Sequence, residues 1–210
     1  KNFKFLAICV IAVLSMSLTS CMHTTDPGYA SVINERYGSD KGVQPVPVGP
    51  GTYYSGFGQD YFDFPTFQVN WTFTRDKNEG SETNEEFTFQ TKEGMECGVD
   101  LGLAMHFDMD KLPKMYTTYR KGVEEIRSTV VRNAIRDALN RVAGNMPVES
   151  VYGNGKGLLI DTVSKIVKAQ LVPNGIIVDR LSLIGSVRIP QSIKEALNSK
   201  VQMTQDAQKA

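Results

Sequence analysis

TKEGMECGVDLGLAMHF, Thr91 to Phe107, decides how this chain is to be read. Cys97, Val99, Leu101, Leu103 and Met105 alternate with Gly98, Asp100, Gly102, Ala104 and His106. A period of two puts one set on an apolar face and the other on a small or polar face, which predicts a β-strand. The preceding run, residues 86–91 (EFTFQT), is strand-like too. Lys92-Glu93-Gly94 between them supplies the turn, so the two runs predict a hairpin.

Upstream the pattern stays β-like. Residues 29–37 (YASVINERY) read as a first strand closed by Gly38, and 44–53 (QPVPVGPGTY) as a Pro/Gly loop. Residues 61–74 (YFDFPTFQVNWTFT) are rich in aromatic and β-branched side chains, and Pro65 divides them into two strands or a broken edge strand. A charged turn, 75–84, follows.

Downstream the period changes to 3.6. Tyr116, Tyr119, Val123, Ile126, Val130, Ala134 and Ala138 recur every three or four residues, widened by Val131, Ile135, Leu139 and Val142. This predicts one helix over 115–142, stopped by Gly144-Asn145 and Pro147. Its arginines, among them Arg127 and Arg132, read as a solvated face with salt bridges or as an anion-facing one. A second helix is expected over 157–171, ended by Pro173-Asn174-Gly175, and a strand over 176–184. After Pro190 the chain favours helix, but its apolar anchors, Ile193, Leu197, Val201 and Thr204, are sparse. Such a helix is expected to pack against copies of itself or to continue beyond the chain end shown.

The composition is globular, with 41% hydrophobic and 22% charged residues and a formal net charge of zero. Nothing in that balance argues for nucleic acid. His23 and His106 lie far apart and no Cys spacing suits a metal, so no metal or other cofactor is expected. Cys97 reads as a small core hydrophobe. G-x-S-x-G, H-E-x-x-H and C-x-x-C are all absent, so no catalytic residues are assigned. Gly153-Asn154-Gly155-Lys156-Gly157 falls short of a phosphate loop: Ser150 stands where the first Gly belongs and Gly157 replaces the Mg²⁺-binding hydroxyl.

At the start, Lys1 and Lys4 flank FLAICVIAVL, residues 5–14. That run is about half of the ~20 apolar residues a spanning helix needs, and its layout is that of a secretory signal. Leu18-Thr19-Ser20-Cys21 then resembles a bacterial lipobox, which implies cleavage before Cys21 and acylation of its thiol. The alternative is an uncleaved signal anchor.

The order of these pieces resembles the SPFH (stomatin/prohibitin/flotillin) domain, also called band 7 or prohibitin-homology. The matching stretches are Pro50-Gly51-Thr52-Tyr53, Phe62-Asp63-Phe64-Pro65-Thr66, the 91–100 turn and strand, Ile126-Arg127-Ser128-Thr129-Val130-Val131-Arg132, Gly175-Ile176-Ile177-Val178 and Ile189-Pro190. Glu93 stands where the family has Asp, and the lipobox replaces its usual helical anchor. The expected fold is α+β: a β-rich subdomain with a mixed or antiparallel sheet, a helix–helix–strand subdomain, and the start of a C-terminal helix. The expected divisions are a signal or anchor at 1–20, a tether at 21–28, the SPFH domain at 29–189 and an oligomerisation helix from 190 to 210.

The resemblance implies a non-enzymatic scaffold in the bacterial cell envelope, on the extracytoplasmic side. It would assemble with its own copies into a ring or cage and organise or restrain membrane proteins such as proteases. A monomeric envelope lipoprotein acting as a binding module is the alternative. Tyr54 and Phe57 are the candidates for lipid contact; Gly56 and Gly58 mark Phe57 as the most exposed.

Overall fold

A computed structural model describes residues 22–209, apart from the side chains of residues 201, 204 and 206–209. The chain divides into two units: residues up to Phe67 with Phe107–Gly122, and Gln68–His106 with everything from Val123 onward.

The first unit contains β1 (Met22–Thr25), β2 (Tyr29–Glu35), β3 (Gly42–Val43), β4 (Gly51–Tyr54), β5 (Gln59–Pro65) and helix α1 (Leu112–Tyr119). β2 lies between β3 and β5, all antiparallel, with Tyr29 opposite Pro65 and Glu35 opposite Gln59. Opposed residues share a face. Ala30, Val32, Phe62 and Phe64 therefore face one way, and Tyr116 of α1 stacks on Phe62 with centroids 4.4 Å apart. Phe107 meets Phe64 edge-on at 5.3 Å. Ser31, Ile33, Tyr61 and Asp63 face the other way, where β1 lies: His23 Nε2 is 3.0 Å from Asp63 Oδ1 and its ring stacks on Tyr61 at 4.3 Å.

That placement corrects the tether expected over 21–28. Met22–Thr25 is a strand paired antiparallel with β4, and only Asp26-Pro27-Gly28 turns the chain. Polar side chains hold it: Thr24 Oγ1 bonds Thr52 Oγ1 at 3.2 Å, and the Thr25 hydroxyl bonds that of Ser31. Cross-strand Thr pairs contribute roughly 0.2–1 kcal/mol each. Polarity alone therefore does not exclude a strand here.

The second unit is built on β8 (Glu96–Phe107). β6 (Val69–Phe73) pairs with residues 101–105 of it and β7 (Phe87–Gln90) with 96–99, both antiparallel, while β9 (Ile176–Arg188) also pairs with β8. Pro65 ends β5, and the next strand, β6, belongs to the other unit.

The single helix expected over 115–142 is broken. α1 stops at Arg120, whose backbone turns left-handed (φ 51°, ψ 40°). The chain resumes as α2 (Val123–Glu125), a π-helical segment (Ile126–Val131) and α3 (Arg132–Ala143). The three-residue break keeps the apolar spacing in phase, so periodicity does not reveal it. The π segment shifts that phase by one residue. Ile126 is followed on the buried stripe by Val131, then Ile135 and Leu139, all 0% exposed, while Val130 is only half-buried. α4 (Val148–Tyr152), α5 (Lys156–Leu171) and α6 (Gln191–Lys209) complete the unit. α3 packs on α5 and β7, and α5 packs on β9.

Candidate functional site

Two places in the chain have more chemistry than packing requires. One is the end of the first unit where β1 begins. Met22 is the register partner of Tyr54. Moving along β1 from Thr25 to His23 carries the contact from Ser31 to Tyr61, so Met22 points toward the same strand ends as the loop between β4 and β5. Four large apolar side chains stand in solvent there: Met22 (62% exposed), Tyr37 (60%), Tyr54 (74%) and Phe57 (92%).

The loop that carries Phe57 is held by hydrogen bonds. Gly56 N–H donates to Gln59 Oε1 at 2.9 Å, Gln59 N–H to Gly56 O at 3.2 Å, and Arg36 N–H to Gly58 O at 2.9 Å. Tyr37 stacks on Phe57, centroids 5.4 Å apart and planes 19° off parallel. Gly58 makes that stack possible: its φ is +81°, and a Cβ there would come within 2.3 Å of the Tyr37 ring. Tyr54 and Phe57, the sequence candidates for lipid contact, are both exposed, Phe57 the more so. Met22 and Tyr37 were missed; Tyr37 read as the last residue of the strand expected over 29–37, which ends at Glu35, and only the pairing of β1 brings Met22 alongside.

The second place is the approach to α6. Arg188, at the end of β9, donates from Nη1 and Nη2 to Asp100 Oδ2 and Oδ1 at 2.8 and 2.6 Å, and from Nε to Glu86 Oε1 at 2.7 Å. Arg75 N–H adds a bond to Asp100 Oδ1 at 3.0 Å. Burial pushes the Asp100 carboxyl up, but the Arg188 bonds and charge and the Arg75 N–H outweigh it and hold the carboxyl below its ordinary value. Arg188 in turn is held fully charged, chiefly by its bonds to Asp100. The small face of β8 is thus no solvent face. Gly98 leaves the room: a Cβ there would lie 1.9 Å from Glu86 Oε1.

A related arrangement replaces the expected solvated arginine face. Arg127 Nη1 bonds Glu85 Oε2 at 3.0 Å and its Nε bonds Glu124 Oε2 at 2.9 Å. Arg132 lies 4.9 Å above the Phe87 ring and donates to Glu85 O at 2.9 Å. These two arginines fix the entry to β7 rather than offering charge to a ligand.

On α6, Ile193 and Leu197 are half-buried; the side chains of Val201 and Thr204 lie outside the described residues. Lys200 Nζ pairs with Glu149 Oε1 at 2.6 Å. A cavity of about 500 Å³ is lined by Glu149, Tyr152, Leu197 and Lys200, among others. Leu18, Thr19, Ser20 and Cys21 also lie outside the described residues. Among those described, no group of three or more His, Cys, Asp or Glu could hold a metal, and no helix is long and apolar enough to cross a membrane. His106 Nδ1 is 2.9 Å from Asp179 Oδ2, a local pairing. Cys97 is 1% exposed, and burial, then Glu93 and Glu96, push its thiol up, as suits a core residue.

A β-rich unit, a second unit of sheet and helices, and a trailing helix make an α+β fold. The chain belongs to the SPFH domain / Band 7 family, whose model matches residues 23–210. The match begins inside β1 and includes α6. That family is one of membrane-associated, oligomerising scaffolds without catalytic function. Among curated proteins, none matches the chain.

Proposed function

We propose that this protein is an envelope scaffold acylated at Cys21. It rests on the extracytoplasmic face of a membrane and assembles through α6 into a ring or cage that organises or restrains membrane proteins, proteases among them. The observation that carries the reading is the register of β1. The residue after Cys21, Met22, is paired with Tyr54, and both are exposed beside Phe57. Lipid at Cys21 would therefore sit one residue from a strand, with no slack between bilayer and fold. Each buried CH₂ contributes about 0.8 kcal/mol, so two or more acyl chains anchor the protein stably. Tyr37 and Tyr54 suit the headgroup level, where aromatic rings with one wet edge are favoured, and the wholly apolar Phe57 suits the acyl side of it.

The test is membrane flotation of the full chain and its variants. Cys21→Ser is expected to lose acylation and to bind vesicles weakly, through its exposed side chains alone. Adding Phe57→Asp to it is expected to abolish that residual binding. Equal flotation of the two variants would overturn the membrane assignment of this end.

A further inference from the structure

Arg120 is the one non-glycine residue with positive φ among those described. It closes α1, its N–H bonding Tyr116 O at 2.7 Å. Glycine normally takes this position, and a side chain there costs about 1 kcal/mol or more. Gly122 stands two residues further on. A cation at a strained position points to a use for the cation.

Arg120 opens onto a cavity of about 390 Å³ lined also by Asn34, Gly42, Val43, Tyr116 and Thr117. All six residues lie in the first unit. The Arg120 guanidinium has no carboxylate partner among the described residues, and the Asn34 amide and Tyr116 hydroxyl have no side-chain hydrogen-bond partner there. Burial, then the Asp60 charge, push the Tyr116 hydroxyl up against the opposing pull of Arg120, so it stays an O–H donor at neutral pH. Asp60, opposite Asn34 in the sheet, is the nearby acid. Its oxygens are taken by Arg36 Nε and Nη2 at 2.7 and 2.9 Å, which offsets its charge. Glu35 lies on the other sheet face, bonded by Gln59 Nε2 at 2.8 Å. The Thr117 hydroxyl is spent on Pro113 O at 2.8 Å, so the cavity presents donors from Arg120, Asn34 and Tyr116, with a guanidinium fork suited to a phosphate.

Its place in the fold narrows the ligand. Asn34 is three residues from Tyr37, which stacks on Phe57, so their Cα atoms are at most about 10 Å apart. The cavity therefore opens near the chain that carries the exposed aromatics, within reach of the phosphate layer if those rings lie at the headgroup level. We propose that this cavity binds the phosphate of a membrane phospholipid headgroup, with Arg120 as the main contact and Asn34 and Tyr116 as further donors. This rests on the membrane reading of the Phe57 end.

The test uses the full chain in neutral detergent, titrated calorimetrically with dihexanoyl phosphatidylglycerol, dihexanoylglycerol and inorganic phosphate. Saturable binding of the phosphatidylglycerol is expected, with no comparable binding of the neutral diacylglycerol. Arg120→Gly is expected to weaken it tenfold or more while leaving the melting temperature unchanged or higher, because glycine fits the backbone. Arg120→Lys should keep part of the affinity. Unchanged affinity in Arg120→Gly would overturn the proposal, as would equal binding of the uncharged lipid. Inorganic phosphate binding as tightly as the lipid would overturn its assignment to phospholipid. The titration needs no vesicle. Failure of the Phe57 flotation test would remove the membrane reading while leaving this result standing.

Discussion

Asp100 shows how one side chain can look ordinary in sequence and be structural in the fold. It falls on the small face of β8, yet it is 8% exposed and carries both Nη bonds of Arg188. Asp100→Asn leaves Arg188 with a weakened partner. Hydrogen bonds to charged groups contribute about 1.5–3 kcal/mol, and the part-exposed Arg188 tempers the loss, so about 2 kcal/mol is expected in urea unfolding. The pH dependence has a definite sign. The folded carboxyl lies below the ordinary ~3.9 of an aspartate, so its contribution is complete above that value and fades as pH falls through the depressed one. Asp100→Asn should flatten stability below about pH 4 and leave the neutral-pH slope unchanged. Cys97 offers a second test at this scale. With its thiol buried and pushed up, it should resist iodoacetamide in the native protein at neutral pH and react in urea. Fast native labelling would contradict its place in the core.

At the level of elements, the longer strands were legible; the short strands β1, β3 and β4, the last beginning inside the stretch 44–53 read as a loop, and the helix breaks were not. Alternation over 96–107 identifies β8 because half of each turn of a strand faces a core. Residues 115–142 also carry a true apolar period, but the stretch 120–122 interrupts the helix without disturbing it, and the π segment at Ile126–Val131 moves the stripe from Val130 to Val131. Neither leaves a local mark in residue type; Arg120 sits where glycine would have been the signal. β1 was hidden for a different reason: His23, Thr24 and Thr25 satisfy a polar neighbourhood of Thr52, Ser31 and Asp63 that lies far off in sequence. The helical stripe itself can be tested. Leu139→Ala, at a fully buried position of α3, should cost about 3 kcal/mol, whereas Asn140→Ala on the exposed face should change stability by less than about 0.5 kcal/mol.

For the whole molecule, the order of elements carried the family resemblance although no single motif did, and the family match over residues 23–210 agrees with it. The candidate membrane face was half legible. Phe57 stands out by its glycine neighbours and Tyr54 as an aromatic of the same stretch, while Met22 joins them only through strand pairing and Tyr37 only by stacking on Phe57. The ion cluster around Arg188 needed the fold as well, since Glu86, Asp100 and Arg188 are spread over a hundred residues. The same scale sets the functional question. α6 has a 72% exposed Met203 and only half-buried Ile193 and Leu197 on its first turns, an arrangement that a neighbouring copy would complete. The most direct measurement is the mass of particles released from membranes with their surrounding lipid, after mild crosslinking, for the full chain and for the chain ending at Pro190. The scaffold account predicts assemblies of many copies for the full chain and their loss on truncation. Particles of single-chain mass from both would contradict it.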